Sequence, residues 1–265
     1  GGHSGDPVPL ALVERFDPAA GPTGSWSRRR SMPTARHNLA AAAALGRLFA
    51  LGGLGDGGDL SVVESYDAAA DAWTTLQAMP TARGFLAAAA LGGKIYALGG
   101  AGMADLRPSA KAERLDVQAG TWSKLPDMPT GRTGLAAASH GVRIYAVGGR
   151  DGGGRAAVES FDPAVGAWSS AAGLGVARFG CAAASAAGVL YVFGGVDVKD
   201  MEAPTSVERF VAAAGTWEPL PEIPGARNFL AGAMVEMPCA GGASAERKDA
   251  AEDACMHGGS VLAIT

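Results

Sequence analysis

An excess of basic residues, a long apolar run and abundant cysteine are all absent from this 265-residue chain, and each absence excludes a class of protein. The 22 basic and 26 acidic residues leave a formal net charge of −4, which predicts neither a nucleic-acid partner nor a polybasic membrane contact. No apolar run reaches the roughly 18–20 residues that span a bilayer. Three cysteines cannot staple a fold, which favours a reducing, cytoplasmic location.

Glycine is abundant by contrast, with 40 residues, and paired glycines are one mark of an internal repeat. Tryptophans and arginines of this repeat both step along the chain by 47, 49, 46 and 49 residues. They are Trp26, Trp73, Trp122, Trp168 and Trp217, and Arg36, Arg83, Arg132, Arg178 and Arg227. The glycine pairs, which share the first three intervals, are Gly52-Gly53, Gly99-Gly100, Gly148-Gly149 and Gly194-Gly195. The chain therefore contains five copies of one unit.

Short runs separated by turn residues make up each copy. In the second copy the runs are 61–67, 73–76, 85–91 and 94–98, and the first of them contains the element Glu64-Ser65-Tyr66-Asp67, which recurs in the other copies. In the fifth copy the element reads Glu208-Arg209-Phe210-Val211, so its aspartate is lost. Four strands per copy predict a radial array of small antiparallel sheets.

Alanine-rich runs such as 39–45 and 86–91 have the intrinsic propensity of helices. Each run is followed by glycine and by a β-favouring stretch, and it recurs at the same place in the repeat. We therefore predict that the alanines form the innermost strand, where converging sheets leave room only for small side chains.

These residues resemble the kelch repeat, in which a strand opens after Pro-x-x-Arg, ends in Gly-Gly and is followed by Val-Glu-x-Tyr-Asp and a tryptophan. The resemblance implies an all-β β-propeller of four-stranded antiparallel blades. Kelch propellers usually have six or seven blades, whereas the five repeats counted here predict five blades in one domain over residues 1–265, either as a closed ring or as a portion of a larger one. The resemblance also implies that each tryptophan fills space between blades. Glycine suits the paired positions because the backbone there turns with positive φ or approaches its neighbour closely.

Ring closure by both termini is the further expectation. Residues 10–17 and Trp26 supply the third and fourth strands of the last blade, residues 227–235 supply its first strand, and residues 261–265 supply its second. Residues 261–265 would then pair with the strand around Leu12 and Val13, which removes free sheet edges. Residues 238–260 match no part of the repeat and form an irregular insertion, flanked by Cys239 and Cys255, whose redox state stays open.

Catalytic groups do not gather in any recognisable pattern. The inner strands carry no carboxylate before Glu236, so the paired acids of glycoside hydrolases are missing. The histidines do not repeat in register, and the Asp249-x3-Asp253-x3-His257 segment reads as a charged loop. We predict no metal, no cofactor and no enzymatic activity.

A face for a protein or peptide partner is the favoured function, since rigid blades carrying variable loops suit binding. In kelch adaptors that capture acidic peptides, arginines that open the inner strand point towards the channel mouth, so the resemblance also suggests an acidic partner. The candidate contact residues are Arg36, His37, Asn38, Arg83, Phe85, Arg132, Arg150, Arg178, Phe179, Arg227, Asn228 and Phe229. The alternative for the five periodic arginines is structural, each bonded to a neighbouring blade. Two other functions stay open: a sugar-acid mutarotase of the kelch type, and a structural module in a larger assembly.

Overall fold

A computed structural model describes residues 2, 8–104, 106–151, 155–197, 205–225, 231–235 and 260–264. All regular elements of these residues are β-strands. The chain divides into two compact units, the first comprising Gly1–Leu135 with Gly166–Trp168 and the second comprising Ala136–Val165 with Ser169–Thr265. Each unit is described separately below.

Unit 1 contains strands β1 to β12. They are β1 (Val13–Asp17), β2 (Ser25–Arg29), β3 (Ala40–Ala44), β4 (Arg47–Leu51), β5 (Leu54–Gly55), β6 (Gly58–Asp59), β7 (Val63–Asp67), β8 (Ala72–Thr75), β9 (Ala87–Leu91), β10 (Lys94–Leu98), β11 (Ala112–Asp116) and β12 (Thr121–Lys124). Strands β3-β4-β7-β8 form one antiparallel sheet, blade 1, and β9-β10-β11-β12 form blade 2. Strands β1 and β2 pair as a two-stranded ladder, and β5 and β6 form a short hairpin.

Unit 2 contains β13 to β22, apart from the first residues of β16, which group with unit 1. The strands are β13 (Ala136–His140), β14 (Arg143–Val147), β15 (Val158–Asp162), β16 (Ala167–Ala171), β17 (Ala182–Ala186), β18 (Val189–Phe193), β19 (Val207–Val211), β20 (Thr216–Leu220), β21 (Ala231–Val235) and β22 (Ser260–Ile264). Strands β13-β14-β15-β16 form blade 3 and β17-β18-β19-β20 form blade 4. Strands β21 and β22 pair as a two-stranded ladder.

The alanine-rich runs are strands, as the repeat predicted. Strands β3, β9, β13 and β17 are each the first strand of a blade and lie at one edge of its sheet. Within unit 1 β3 packs beside β9, and within unit 2 β13 packs beside β17. Alanine is needed there because two inner strands approach each other with little room for larger side chains.

The hydrophobic core lies between consecutive blades within each unit. In unit 1 Phe49, Leu51 and Val63 of blade 1 meet Ile95 and Leu115 of blade 2, and all five are at most 1% exposed. In unit 2 the corresponding cluster joins blades 3 and 4 through Val147, Val158, Leu190 and Val192. Each sheet therefore buries one face against its neighbour.

Four tryptophans lie on the fourth strand of a blade, as predicted, and Trp26 lies on the second strand of the β1-β2 ladder. In each of the four blades the indole Nε1 donates to a backbone carbonyl of the preceding repeat at 2.8 to 3.0 Å. The pairs are Trp73 with Arg30, Trp122 with Gln77, Trp168 with Pro126 and Trp217 with Ala172. The apolar part of the ring can pack while its N–H is hydrogen-bonded, so the polar atom of the side chain has a partner.

Among the described residues four complete four-stranded blades are present, together with the two ladders β1-β2 and β21-β22, and the fifth blade stays a prediction. Pairing of the last apolar run with the strand before it is confirmed, since Val261 lies opposite Met234. Within the described strands Val13 pairs with Arg29 of β2. The further pairing of residues 261–265 with the strand around Leu12 and Val13 stays a prediction. Residues 238–259 of the expected insertion lie outside the described residues, whereas Ser260 begins β22.

Candidate functional site

The periodic arginines of the described blades point into the protein. Arg36, Arg83, Arg132 and Arg178 are all at most 1% exposed. Arg83 Nη1 lies 2.6 Å from Glu113 Oε2, and Arg178 Nη2 lies 2.7 Å from Glu208 Oε1. Arg36 pairs with Glu64 in the same way, and burial lowers the pKa of Arg36 while Glu64 opposes that shift. Such burial favours the structural interpretation of these arginines over direct partner contact.

Backbone carbonyls accept from further N–H groups of Arg83 and Arg178. Arg83 donates from Nε to Gly99 O at 2.8 Å and from Nη2 to Ala97 O at 3.1 Å. Arg178 donates from Nη1 to Gly194 O and Ser206 O at 3.1 and 3.0 Å. These acceptors belong to the arginine's own blade, not to a neighbouring one as the structural alternative supposed. Arg83 and Arg178 thus each tie the start of the inner strand to the second and third strands of the same sheet.

The glycine pairs of blades 1 to 3 contact the backbone of the next arginine. Gly53 N donates to Arg83 O at 3.0 Å, and Gly100 N donates to Arg132 O at 2.8 Å. Gly99 has φ +61, and a Cβ there would lie only 2.5 Å from Arg132 O. Both predicted reasons for glycine therefore apply, since the backbone turns through the left-handed region and also approaches its neighbour closely.

The second residue after each arginine adopts a left-handed backbone. The φ angles are +51 at Asn38, +54 at Phe85, +61 at Gly134 and +61 at Gly180. In unit 1 Phe85 N donates to Asn38 O, and Gly134 N donates to Phe85 O, both at 2.9 Å. Glycine or asparagine tolerates this conformation, whereas a phenylalanine there is an outlier whose retention points to a role for its side chain.

Different side chains occupy this repeated backbone in unit 1. His37 and Asn38 are half-buried in blade 1, with Asn38 Nδ2 2.9 Å from His37 Nδ1. Gly84 and Phe85 take the same two positions in blade 2, where Phe85 is half-buried. One blade therefore presents a polar pair and the other an aromatic ring.

Unit 2 breaks the repeat at the residue that follows the glycine pair. Leu54, Ala101 and Val196 occupy this position in three blades, and all are at most 4% exposed. Arg150 occupies it in blade 3 and is exposed. Its guanidinium carbon lies 5.6 Å from the centroid of the Phe179 ring, within the range of a cation–π contact. Phe179 is itself buried, so the ring offers a fixed platform for the guanidinium.

Three predicted contact residues, Arg227, Asn228 and Phe229, lie outside the described residues. Across the part of the chain that is described, no three His, Cys, Asp or Glu side chains gather closely enough to hold a metal ion. The same residues contain no helix with the length and apolarity to cross a membrane.

The sequence prediction missed the partners of the arginines, although the signal was present. Glu64, Glu113 and Glu208 belong to the repeated element in which glutamate is followed two residues later by an aromatic residue or leucine, and each is at most 4% exposed. A glutamate placed in a buried strand position requires a cation or several hydrogen bonds. The matching periodicity of the arginines and these glutamates could have identified the pairs.

Four-stranded blades with small inner strands define the class as a β-propeller. The sequence model of the KLHDC2/KLHL20/DRC7 Kelch-repeats domain matches residues 1–195, and that of the Kelch motif matches residues 177–224. The chain belongs to the kelch-repeat family. One similar solved structure is entitled "Structure of YjhT", with 16% sequence identity and a TM-score of 0.71 over 86% of this chain and 88% of that chain. No curated protein matches the chain.

Likeness at this level of identity shows the fold alone. The kelch propeller fold supports a protein-interaction scaffold in general, because it holds variable loops on a rigid framework.

Proposed function

We propose that this protein binds a peptide or loop of a partner protein, without catalysis, through the side chains that follow the buried arginines and the glycine pairs. The observation that carries the proposal is a repeated backbone that displays unlike residues. Asn38, Phe85, Gly134 and Gly180 share one left-handed conformation, yet the position carries an amide in blade 1, an aromatic ring in blade 2 and no side chain in blades 3 and 4. A rigid support reduces the entropy lost on binding, and unlike side chains provide specificity.

An acidic group on the partner is supported by Arg150. This guanidinium is exposed and stacks on Phe179, and it has no carboxylate partner among the described residues. Stacking occupies the face of the guanidinium and leaves its N–H edges free to bind a carboxylate in bidentate fashion. The buried arginines do not belong to this surface, since their bonds lie inside the blades.

Selection from a random peptide display library tests the proposal. The wild type is compared with the double variant Phe85→Ala/Arg150→Gln and with a control, Val142→Thr/Val165→Thr. Both control valines are exposed, at 75% and 76%, and lie in turns that join strands 1–2 and 3–4 of blade 3. All three proteins are first shown to have the same melting temperature.

Peptides that bind the wild type and the control but not the double variant would support the proposal. We expect each peptide to bind the double variant at least about ten-fold more weakly, because the anchor that it uses, Phe85 in unit 1 or Arg150 in unit 2, is removed. Failure to enrich any peptide, or equal binding to all three proteins, would overturn it.

A further inference from the structure

The densest basic run of the chain ends at a serine. Arg28, Arg29 and Arg30 directly precede Ser31. The first two arginines belong to β2, so they are held in an extended strand, and Ser31 lies two residues past the end of that strand. In the described part of the chain β2 pairs with β1 alone, which leaves the outer edge of β2 without a strand partner.

Ser31 is displayed between two residues that are themselves held in place. On one side Arg30 N donates to Asp71 Oδ1 at 3.1 Å. On the other side Met32 is 5% exposed, and its backbone N donates to Ala11 O at 2.9 Å. Ser31 itself is exposed, and among the described residues its hydroxyl has no hydrogen-bond partner. Its hydroxyl can therefore be reached from solvent in the folded protein.

The same place in two other repeats carries an exposed carboxylate. The residue that follows it, Met32, Met128 or Ile223, donates its backbone N–H to the segment just before the third strand of its repeat. These bonds make the preceding residues equivalent. With the two remaining repeats they are Ser31, Ala78, Asp127, Gly173 and Glu222. Asp127 and Glu222 are both exposed, so the kelch repeat accommodates a negatively charged group at this place.

We propose that Ser31 is a phosphorylation site for a protein kinase that recognises the arginines before it. Carboxylates in the substrate groove of such a kinase would bind the guanidinium groups, and charge patterns of this kind set kinase specificity. Arg28 is the main determinant because its side chain is exposed, whereas Arg30 Nε already donates to Asp71 O at 2.9 Å. The site is independent of the peptide-binding function proposed above.

The transfer requires ATP and Mg²⁺, both bound by the kinase. A bond forms between Ser31 Oγ and the γ-phosphorus of ATP, and the bond from that phosphorus to the β,γ-bridging oxygen breaks, so ADP leaves. The hydroxyl proton passes to a carboxylate of the kinase and then to water. The phosphate adds a charge of about −1.5 to −2 at neutral pH, which offsets much of the positive charge of the three arginines.

Incubation of the folded protein with MgATP and the catalytic subunit of cyclic-AMP-dependent protein kinase, which prefers arginines before serine, tests the site. Mass spectrometry should locate the phosphate on Ser31, and Ser31→Ala should not incorporate it. Arg28→Gln should lower kcat/KM for phosphorylation about ten-fold or more, because one ion pair with the kinase is lost. Arg15→Gln is the matched control, since it removes one exposed arginine from β1 of the same ladder, and it should be phosphorylated as the wild type is.

Three results would overturn the inference. They are a folded wild type that incorporates no phosphate, phosphate on another residue instead of Ser31, and equal kcat/KM for Arg28→Gln and the wild type. Incorporation only after heat denaturation would also overturn it, because Ser31 would then be inaccessible in the folded protein. Ser31→Glu supplies a second measurement and should melt at the wild-type temperature, since two equivalent residues are acidic. A clear fall in that temperature would show that this repeat does not accept a negative group at Ser31.

Discussion

The buried glutamates of unit 1 and of blade 4 each accept from an arginine and from a second hydrogen-bond donor, and this second donor differs between them. In unit 1 a threonine hydroxyl donates to the same glutamate as the arginine, from Thr81 Oγ1 to Glu113 Oε1 at 2.6 Å. In blade 4 Val176 stands in the threonine's place, and the backbone N–H of Gly175 donates to Glu208 Oε2 at 2.6 Å instead. The Arg–Glu ion pair is present in both places and the second donor varies, since a buried carboxylate needs hydrogen-bond donors whatever their source.

Surface ion pairs show the opposite pattern. Lys94 and Asp116 in unit 1 lie 2.5 Å apart with about a third of each side chain exposed. The corresponding positions in blade 4 are Val189 and Val211, next to the paired residues Leu190 and Phe210. An exposed ion pair contributes little to stability, so its replacement by valines costs little. Buried pairs are thus the constant feature of the blades, and surface pairs are not.

Breaking a buried pair should have the largest effect, and the same effect in both units. Arg83→Ala and Arg178→Ala should each lower the free energy of unfolding by about 3–5 kcal/mol, because each leaves a glutamate buried without its cation. Urea titration measures this, with Arg15→Ala, at an exposed pair, expected to cost under about 0.5 kcal/mol. A cost near that of Arg15→Ala in either unit would show that the buried pairs are not the framework.

Removing the threonine donor in unit 1 and adding one in blade 4 should change the free energy of unfolding by unequal amounts. Thr81→Val removes the hydroxyl donor from Glu113 and should cost about 1–2 kcal/mol. Val176→Thr should change the free energy of unfolding by less than about 0.5 kcal/mol, because Glu208 already accepts backbone N–H groups. Equal changes in the free energy of unfolding for the two variants would show that the backbone N–H groups at Glu208 do not replace the threonine hydroxyl that Glu113 uses.

The tryptophan bonds between blades should contribute alike in both units. Trp122→Phe and Trp217→Phe keep most of the ring and remove the indole donor to Gln77 O and Ala172 O. Each should cost about 1 kcal/mol in urea unfolding, the usual net value of one hydrogen bond. If only one of the two variants loses unfolding free energy, the indole hydrogen bond stabilises that unit alone.

A turn particular to unit 1 should add a small dependence on pH. Asp71 has φ +46 where unit 2 has Gly215, and its carboxylate accepts from the Tyr66 hydroxyl and from Arg30 N. These bonds lower the pKa of Asp71, the hydroxyl having the larger effect. Its contribution is therefore present above the ordinary aspartate pKa, about 3.9, and is lost as the pH falls through the lowered value.

Thermal melts of the wild type and Asp71→Asn from about pH 7 to about pH 3 measure this contribution. The amide can accept the same two hydrogen bonds without titrating, so the difference between the two proteins should narrow as the pH falls. A constant difference would show that Asp71 does not contribute through its charge.

Much of the fold followed from the repeat. The fixed spacing of Trp73 and Arg83 with their equivalents separated the blades, and position within the repeat correctly placed the alanines on inner strands despite their helix propensity. Spacing identifies equivalent residues but not the direction in which a side chain points. The buried orientation of Arg83 towards Glu113 therefore emerged only from the structure.

The candidate site could be predicted in part. The residues that break the repeat, Phe85 and Arg150 among them, were visible because their neighbours in register differ. The bond from Arg83 to Gly99 O was not visible, since a backbone acceptor leaves no mark in the sequence. Left-handed φ at Phe85 was hidden for a related reason, because the usual signal for it is glycine.

Binding of a selected peptide to Arg83→Met/Glu113→Leu tests most directly whether the buried pairs are framework and not contact surface. Replacing both members of a buried pair by apolar residues of similar size is often neutral for stability. If the pair is framework, the double variant should fold and bind the peptide within about three-fold of the wild-type affinity. Loss of peptide binding in a double variant with an unchanged melting temperature would contradict the account and return Arg83 to the contact surface.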